Sequence, residues 1–138
     1  MANPTTSYRV RSATVQDIPA LTDVFFSSFT APFWQYLYPD TERMREWWNQ
    51  AWRLGLENPT DQTFVAEDTQ DNDCVVGFSR WVKPQEDGNH DRVWPVVDKS
   101  VFPDMEVAEA FFQAMEDNRR ALLGSQPHWS TSTSCLHA

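Results

Sequence analysis

Thr63-Phe64-Val65-Ala66-Glu67 and Cys74-Val75-Val76-Gly77-Phe78-Ser79-Arg80-Trp81-Val82 are the two runs that decide the fold. Both favour extended backbone, and the segment between them, Asp68-Thr69-Gln70-Asp71-Asn72-Asp73, is dense in turn formers. That pattern predicts two antiparallel strands joined as a hairpin, because Asn and Asp side chains support the tight chain return.

Toward the amino terminus, Tyr8-Arg9-Val10-Arg11 alternates like a short strand. Thr14 offers a capping oxygen and Asp17 a first-turn acid ahead of Ile18, Leu21, Phe25 and Phe29 at helical spacing. Pro19 is tolerated there because a first-turn amide needs no helical partner. The connector from Ala31 to Pro39 carries Phe33, Trp34, Tyr36 and Tyr38, and its irregular, polar-tipped pattern predicts a lining rather than a plain core helix. Asp40 or Thr41 then caps a second helix with the stripe Met44, Trp48, Ala51 and Gly55, which Pro59 ends.

Toward the carboxyl terminus, Lys83 to Pro103 reads as a long surface loop. Met105, Ala108, Phe112, Met115, Arg119 and Leu122 trace a third helix, closed by Gly124. After Pro127-His128-Trp129 come five alternating Ser and Thr residues, Ser130 to Ser134, an odd composition for a buried central strand. The expected architecture is therefore α+β, a single domain over 1–138 with a small antiparallel sheet and about three helices. Residues 1–7 are expected as a flexible start, 84–104 as a loop and 130–138 as an atypical tail.

With 41% hydrophobic residues, including seven Trp and nine Phe, the chain has enough apolar surface for one packed core. A net charge of −9 gives no basic field for nucleic acid or anionic lipid, so neither partner is expected. The acidity serves solubility in the ordinary reading and attracts a cationic or amine ligand in the other. Cys74 and Cys135 have no companion ligands at metal-site spacing, so no metal is expected. The start of the chain lacks a secretory signal, and no apolar run approaches membrane-spanning length, which makes a cytoplasmic setting the expectation.

The stretch from Tyr8 to Thr14, followed by Asp17-Ile18-Pro19-Ala20-Leu21, resembles the opening of GNAT-type acyltransferases. Val75-Val76-Gly77-Phe78-Ser79-Arg80-Trp81 is similar to that family's valine-valine-glycine-phenylalanine strand. The third helix before Pro127-His128-Trp129 is similar to a fungal-looking subgroup that inserts a helix ahead of the central strand. The resemblance covers about Tyr8 to Trp129 and implies an incomplete GNAT-like fold, the amino-terminal half only. In the family a central strand then enters a Gln/Arg-x-x-Gly-x-Gly/Ala turn whose backbone amides hold the cofactor's pyrophosphate. Gly55, Gly77, Gly88 and Gly124 all precede that point, so no cofactor-binding residues and no bound cofactor are expected, and acetyl-CoA-dependent transfer is not expected of this chain alone. The tail also suggests a changed reading frame. With permitted codons, skipping two nucleotides in its first serine codon yields Tyr-Leu-His-Ile-Leu-Leu-Ala-Arg, similar to the missing strand. A locus with no cofactor-motif sequence following in another frame would exclude that origin.

Candidate site residues follow from side-chain chemistry. His128, where the third helix hands over to the chain's last segment, is a candidate proton carrier, with capping or packing as the competing role. Glu67 and Asp68 at the hairpin, together with Glu42 and Glu46 on the second helix, are candidate general bases or else solvent-facing charges. Phe33, Trp34, Tyr36, Tyr38, Trp48 and Trp81 are candidate walls of an apolar ligand pocket, against ordinary core packing. The resemblance adds that the connector between the first two helices commonly lines the acceptor site.

Three functions remain open. The first is a repurposed fragment that binds, and transforms by acid/base chemistry, a small apolar or amine-bearing molecule without acetyl-CoA. The second is an N-acetyltransferase whose cofactor site another chain completes, and the third is a noncatalytic remnant or interaction module. A missing strand would leave an open sheet edge, so a homo-oligomer is also expected.

Overall fold

The computed structural model describes residues 7–88 and 94–136, the last five of these as backbone only. The expected flexible start up to residue 6, His90 in the loop and His137 lie outside the described residues. The chain runs β1 (Tyr8–Ser12), α1 (Ile18–Ser28), α2 (Pro32–Leu37), α3 (Glu42–Glu57), β2 (Asp61–Asp68), β3 (Cys74–Val82), α4 (Met105–Leu123) and β4 (Ser130–Leu136). The four strands form one antiparallel sheet in the order β1-β2-β3-β4. The result is the expected α+β architecture, with α2 as an additional short helix.

The β2–β3 hairpin closes through Asn72 and Asp73, at φ of 52° and 55°. Left-handed backbone of this kind suits Asn and Asp, whose short polar side chains tolerate it. Before α1, the Asp17 carboxylate accepts the Thr14 amide at 2.7 Å, which satisfies an amide that the helical turn leaves unpaired. At α3, Thr41 Oγ1 accepts the Met44 amide at 3.2 Å, the cap expected from sequence.

One face of the sheet is covered by α1 and α3. Leu21, Phe25, Met44, Trp48, Trp52, Val65 and Phe78 are buried there, and the Trp52 ring meets Phe78 edge-on at 5.0 Å. Burying each such side chain contributes roughly 1.5–3 kcal/mol. Two ion-pair systems lie under the helical layer. Arg80 donates to Asp61 at 3.0 and 2.7 Å, with both side chains buried, and its guanidinium sits against Gly55 of α3. Glu67 accepts from Arg9 and Arg11, and Arg11 continues to Asp17 at 2.8 Å. The opposite face, bearing Val10, Phe64 and Trp81, is open: Val10 is 69% exposed.

Two sequence expectations change. The connector is ordered as helix α2 because Pro32, at its first turn, supplies a pre-set φ and lacks an amide that would need a partner. The serine/threonine segment expected as an atypical tail is strand β4, with Arg80 opposite Thr133 and Val82 opposite Ser130. An edge strand needs backbone pairing on one side and a β-favouring composition, which alternating Thr supplies, rather than the Val/Ile/Leu run of a buried central strand.

Candidate functional site: an aromatic cleft under α4

The third helix traced from sequence is present as α4, but its apolar stripe is not packed shut. Among its described side chains only Ala108 is buried, and Leu122 is 82% exposed. Phe112, Met115 and Arg119 from that stripe border a cleft of about 1560 Å³ between α4 and the core. Its inner wall is aromatic: Phe25 and Phe29 from α1, Trp34 from α2 and Tyr38 just after it, Trp47 and Trp48 from α3, and Trp94 from the loop. Phe111 and Phe112 face them from α4, and His128, Trp129, Ser130 and Thr131 close one end.

The rings hold one another by edge and stacked contacts. Phe25 lies 4.0 Å from Trp48, Trp34 is parallel to Tyr38 at 6.3 Å, and Phe111 meets Trp34 edge-on at 5.7 Å. Trp47 and Trp94 are parallel at 6.0 Å, and Trp47 Nε1 donates to the Val96 carbonyl at 3.0 Å, tying the loop to the wall. Behind Trp94 the buried Arg80 guanidinium sits 5.1 Å from its ring, a cation–π contact that fixes the indole from the far side.

Polar groups in this wall are few. Trp48 is 3% exposed, and its Nε1 has no hydrogen-bond partner among the described residues. A buried donor of this kind costs stability until an acceptor reaches it. Burial pushes the Tyr38 hydroxyl well above the usual phenol range, so it stays protonated at any physiological pH. Glu106, Glu109 and Glu116 line the outer side against one cation, Arg119, which is held by Glu116 and by the Gly88 carbonyl at 2.5 Å. Arg120 also donates to Glu116 at 2.8 Å, so Glu106 and Glu109 are the carboxylates that leave that side acidic. His128 Nδ1 lies 2.8 Å from the Gln126 carbonyl. A carbonyl only accepts, so Nδ1 carries the proton and Nε2 is the basic nitrogen of the neutral ring.

The structure therefore brings together Trp34, Tyr38, Trp48 and His128 from the sequence-derived candidates. Phe33 and Tyr36 flank the cleft on the outer face of α2: Phe33 packs on Phe111 at 5.7 Å, and the Tyr36 hydroxyl donates to Asp104. Trp81 lies on the open sheet face and donates to Ser79 Oγ at 3.1 Å. Glu67 and Asp68 are on β2 and do not line the cleft. Glu67 is held by Arg9 and then Arg11, whose hydrogen bonds keep its carboxyl below the usual range. Sequence reasoning did not select Phe111, Phe112, Trp129 or the acids of α4. Helical spacing placed Phe112 in the apolar stripe of the third helix and left Phe111 unread, and the placement of α4 makes both of them cleft walls.

No family model matches the chain, and no curated protein sequence matches it significantly. Solved structures do. The C-terminal condensation domain of Ebony, in complex with beta-alanyl-dopamine, matches with a TM-score of 0.59 at 18% identity, over 86% of this chain and 52% of that one. A Corynebacterium glutamicum protein described as histone acetyltransferase HPA2 and related acetyltransferase matches with a TM-score of 0.54 at 19% identity, over 96% of this chain and 61% of that one. The chain thus spans between half and two thirds of the length of these two structures. The similarity lies in the backbone arrangement of sheet and helices, and on that arrangement the chain has a GNAT-like fold.

Proposed function

We propose that this protein binds a small apolar, amine-bearing molecule in the cleft under α4, without acetyl-CoA. The observation that carries the reading is the union of an aromatic wall with one buried, unpartnered donor, Trp48 Nε1, and an acidic outer side. Aromatic rings favour a flat or apolar ligand body and stabilise a cation over their faces, and the carboxylates of α4 favour a positive charge. Trp48 Nε1 and the Tyr38 hydroxyl are the donors for an acceptor atom on the ligand. His128 is the candidate proton carrier at the end of the cleft, with Nε2 as the acceptor nitrogen of its neutral ring. The complex of the Ebony domain with beta-alanyl-dopamine is a precedent for a small amine-containing ligand on this fold.

A thermal-shift panel tests the proposal. A ligand at about 100 times its Kd adds about 2.7 kcal/mol of stability, a clear rise in melting temperature. Arylalkylamines are expected to stabilise the chain, with and without acetyl-CoA, and to do so less in Trp34→Ala and Glu106→Gln/Glu109→Gln variants. Stabilisation by acetyl-CoA itself would favour the second reading, an N-acetyltransferase whose cofactor site another chain completes, a reading supported by the acetyltransferase among the fold's solved neighbours. Stabilisation by neither would leave an interaction module.

A further inference from the structure

α3 carries three tryptophans, and two of them commit their indole N–H to the protein itself. Trp47 Nε1 donates to the Val96 carbonyl at 3.0 Å, and Trp52 Nε1 donates to Thr22 Oγ1 at 3.1 Å. Trp48 is the exception, 3% exposed and with no partner for Nε1 among the described residues. Its indole is enclosed by rings: Phe25 at 4.0 Å, Trp52 at 5.0 Å, Tyr38 at 5.2 Å, Trp47 at 5.3 Å and Trp94 at 6.3 Å between centroids. All of these except Trp52 border the cleft, as Trp48 itself does, so the cleft is the side from which an acceptor reaches Nε1.

An indole N–H donates and does not accept. An ammonium group beside it gains no hydrogen bond, and an anion buried among rings loses hydration that one N–H cannot replace. A neutral oxygen is the group that fits. On the α4 side of the cleft, Glu106 and Glu109 present carboxylates, which favour an ammonium and disfavour a ligand carboxylate. The two walls therefore suit opposite ends of one molecule. We propose that Trp48 Nε1 sets the class and the orientation of the ligand: an arylalkylamine with a neutral oxygen acceptor on its ring, at the end remote from the amine. The oxygen accepts from Trp48 Nε1 and the ammonium turns toward Glu106 and Glu109. This deepens the reading of the cleft as an amine site and rests on it. A ligand of the same shape without the oxygen buries similar apolar area but leaves the indole donor unpaired, and a site built around a buried polar group rejects an analogue on that ground.

Calorimetric titration of the full chain with para-methoxyphenethylamine and para-ethylphenethylamine tests this, because the two differ by an oxygen in place of a methylene and an ether oxygen accepts without donating. The methoxy amine is expected to bind the parent chain at least about tenfold more tightly than the ethyl amine. In Trp48→Phe, which keeps a ring and removes the donor, that ratio is expected to fall to about one. Equal affinities in the parent chain, or a preference that persists in Trp48→Phe, overturn the proposal while leaving the amine reading of the cleft in place. Failure of both amines to bind overturns the amine reading and this proposal with it. Should Trp48→Phe fail to fold, the Trp48 indole N–H resonance of the isotope-labelled parent chain decides. A downfield movement with the methoxy amine and not with the ethyl amine is expected, and the same response to both overturns the proposal.

Discussion

Gly55 shows how one residue type is imposed by a contact from the other end of the fold. A Cβ there would lie 2.7 Å from Arg80 Cζ, and Arg80 cannot swing away without leaving Asp61 and the Trp94 ring. Gly55→Ala is therefore expected to destabilise the chain by about 1–3 kcal/mol in urea unfolding, despite the higher helix propensity of alanine. The chain Glu67–Arg11–Asp17 makes a second residue-scale prediction. Hydrogen bonds from Arg9 and Arg11 hold Glu67 below the usual carboxyl range, and the hydrogen bond from Arg11 does the same for Asp17. Both carboxyls hold their charge to lower pH in the folded chain than in the unfolded one. Their stabilisation is thus fully present above the unfolded values of about 4 and is lost as pH falls through the folded values. Unfolding free energy is expected to be flat from neutral pH to about 5 and to drop below about 4, and Glu67→Gln is expected to be less stable at pH 7 with a shallower acid drop. An unchanged acid limb in that variant would remove Glu67 from this role. Sequence could name Glu67 as an acid but not its partners, because Arg9 and Arg11 stand 58 and 56 residues away and meet it only through strand register.

Among the elements, the most legible were those whose signal is local. The hairpin turn, the Thr41 cap and the stripe of α3 each depend on residues within a few positions of one another, and each appears as read. α2 and β4 were less legible for different reasons. The aromatic density of α2 masked the proline start, and the polar composition of β4 hid that an edge strand is asked for backbone pairing more than for burial. For α4 the helix was legible and its environment was not, since an apolar stripe has the same spacing whether it meets a core or a cleft. Its amino end is held by Asp104, which accepts the Val107 amide at 3.1 Å and the Tyr36 hydroxyl. Asp104→Ala removes the cap and the tie to α2 together. Reduced helical ellipticity and several-fold weaker ligand binding are the expected outcomes, checked by circular dichroism and titration; binding equal to the parent chain would show that α4 needs no such anchor.

At the scale of the molecule, the fold is a GNAT-like sheet with its helical layer on one face, and the candidate site is the space where α4 stands off that layer. Connector residues Trp34 and Tyr38 line the cleft, but their aromatic, polar-tipped pattern fits core packing equally well, and Tyr38 is also part of the buried core. The acidic outer side was not legible, since charges on an amphipathic helix look alike whether they face bulk water or a ligand. The two features together favour an amine on an apolar body. The most direct test is an equilibrium titration of the purified chain with an arylalkylamine, followed by tryptophan fluorescence in the absence and presence of acetyl-CoA. The account predicts saturable one-to-one binding that acetyl-CoA leaves unchanged and that Trp34→Ala weakens. Absence of saturable binding, or binding that appears only with acetyl-CoA present, would contradict it.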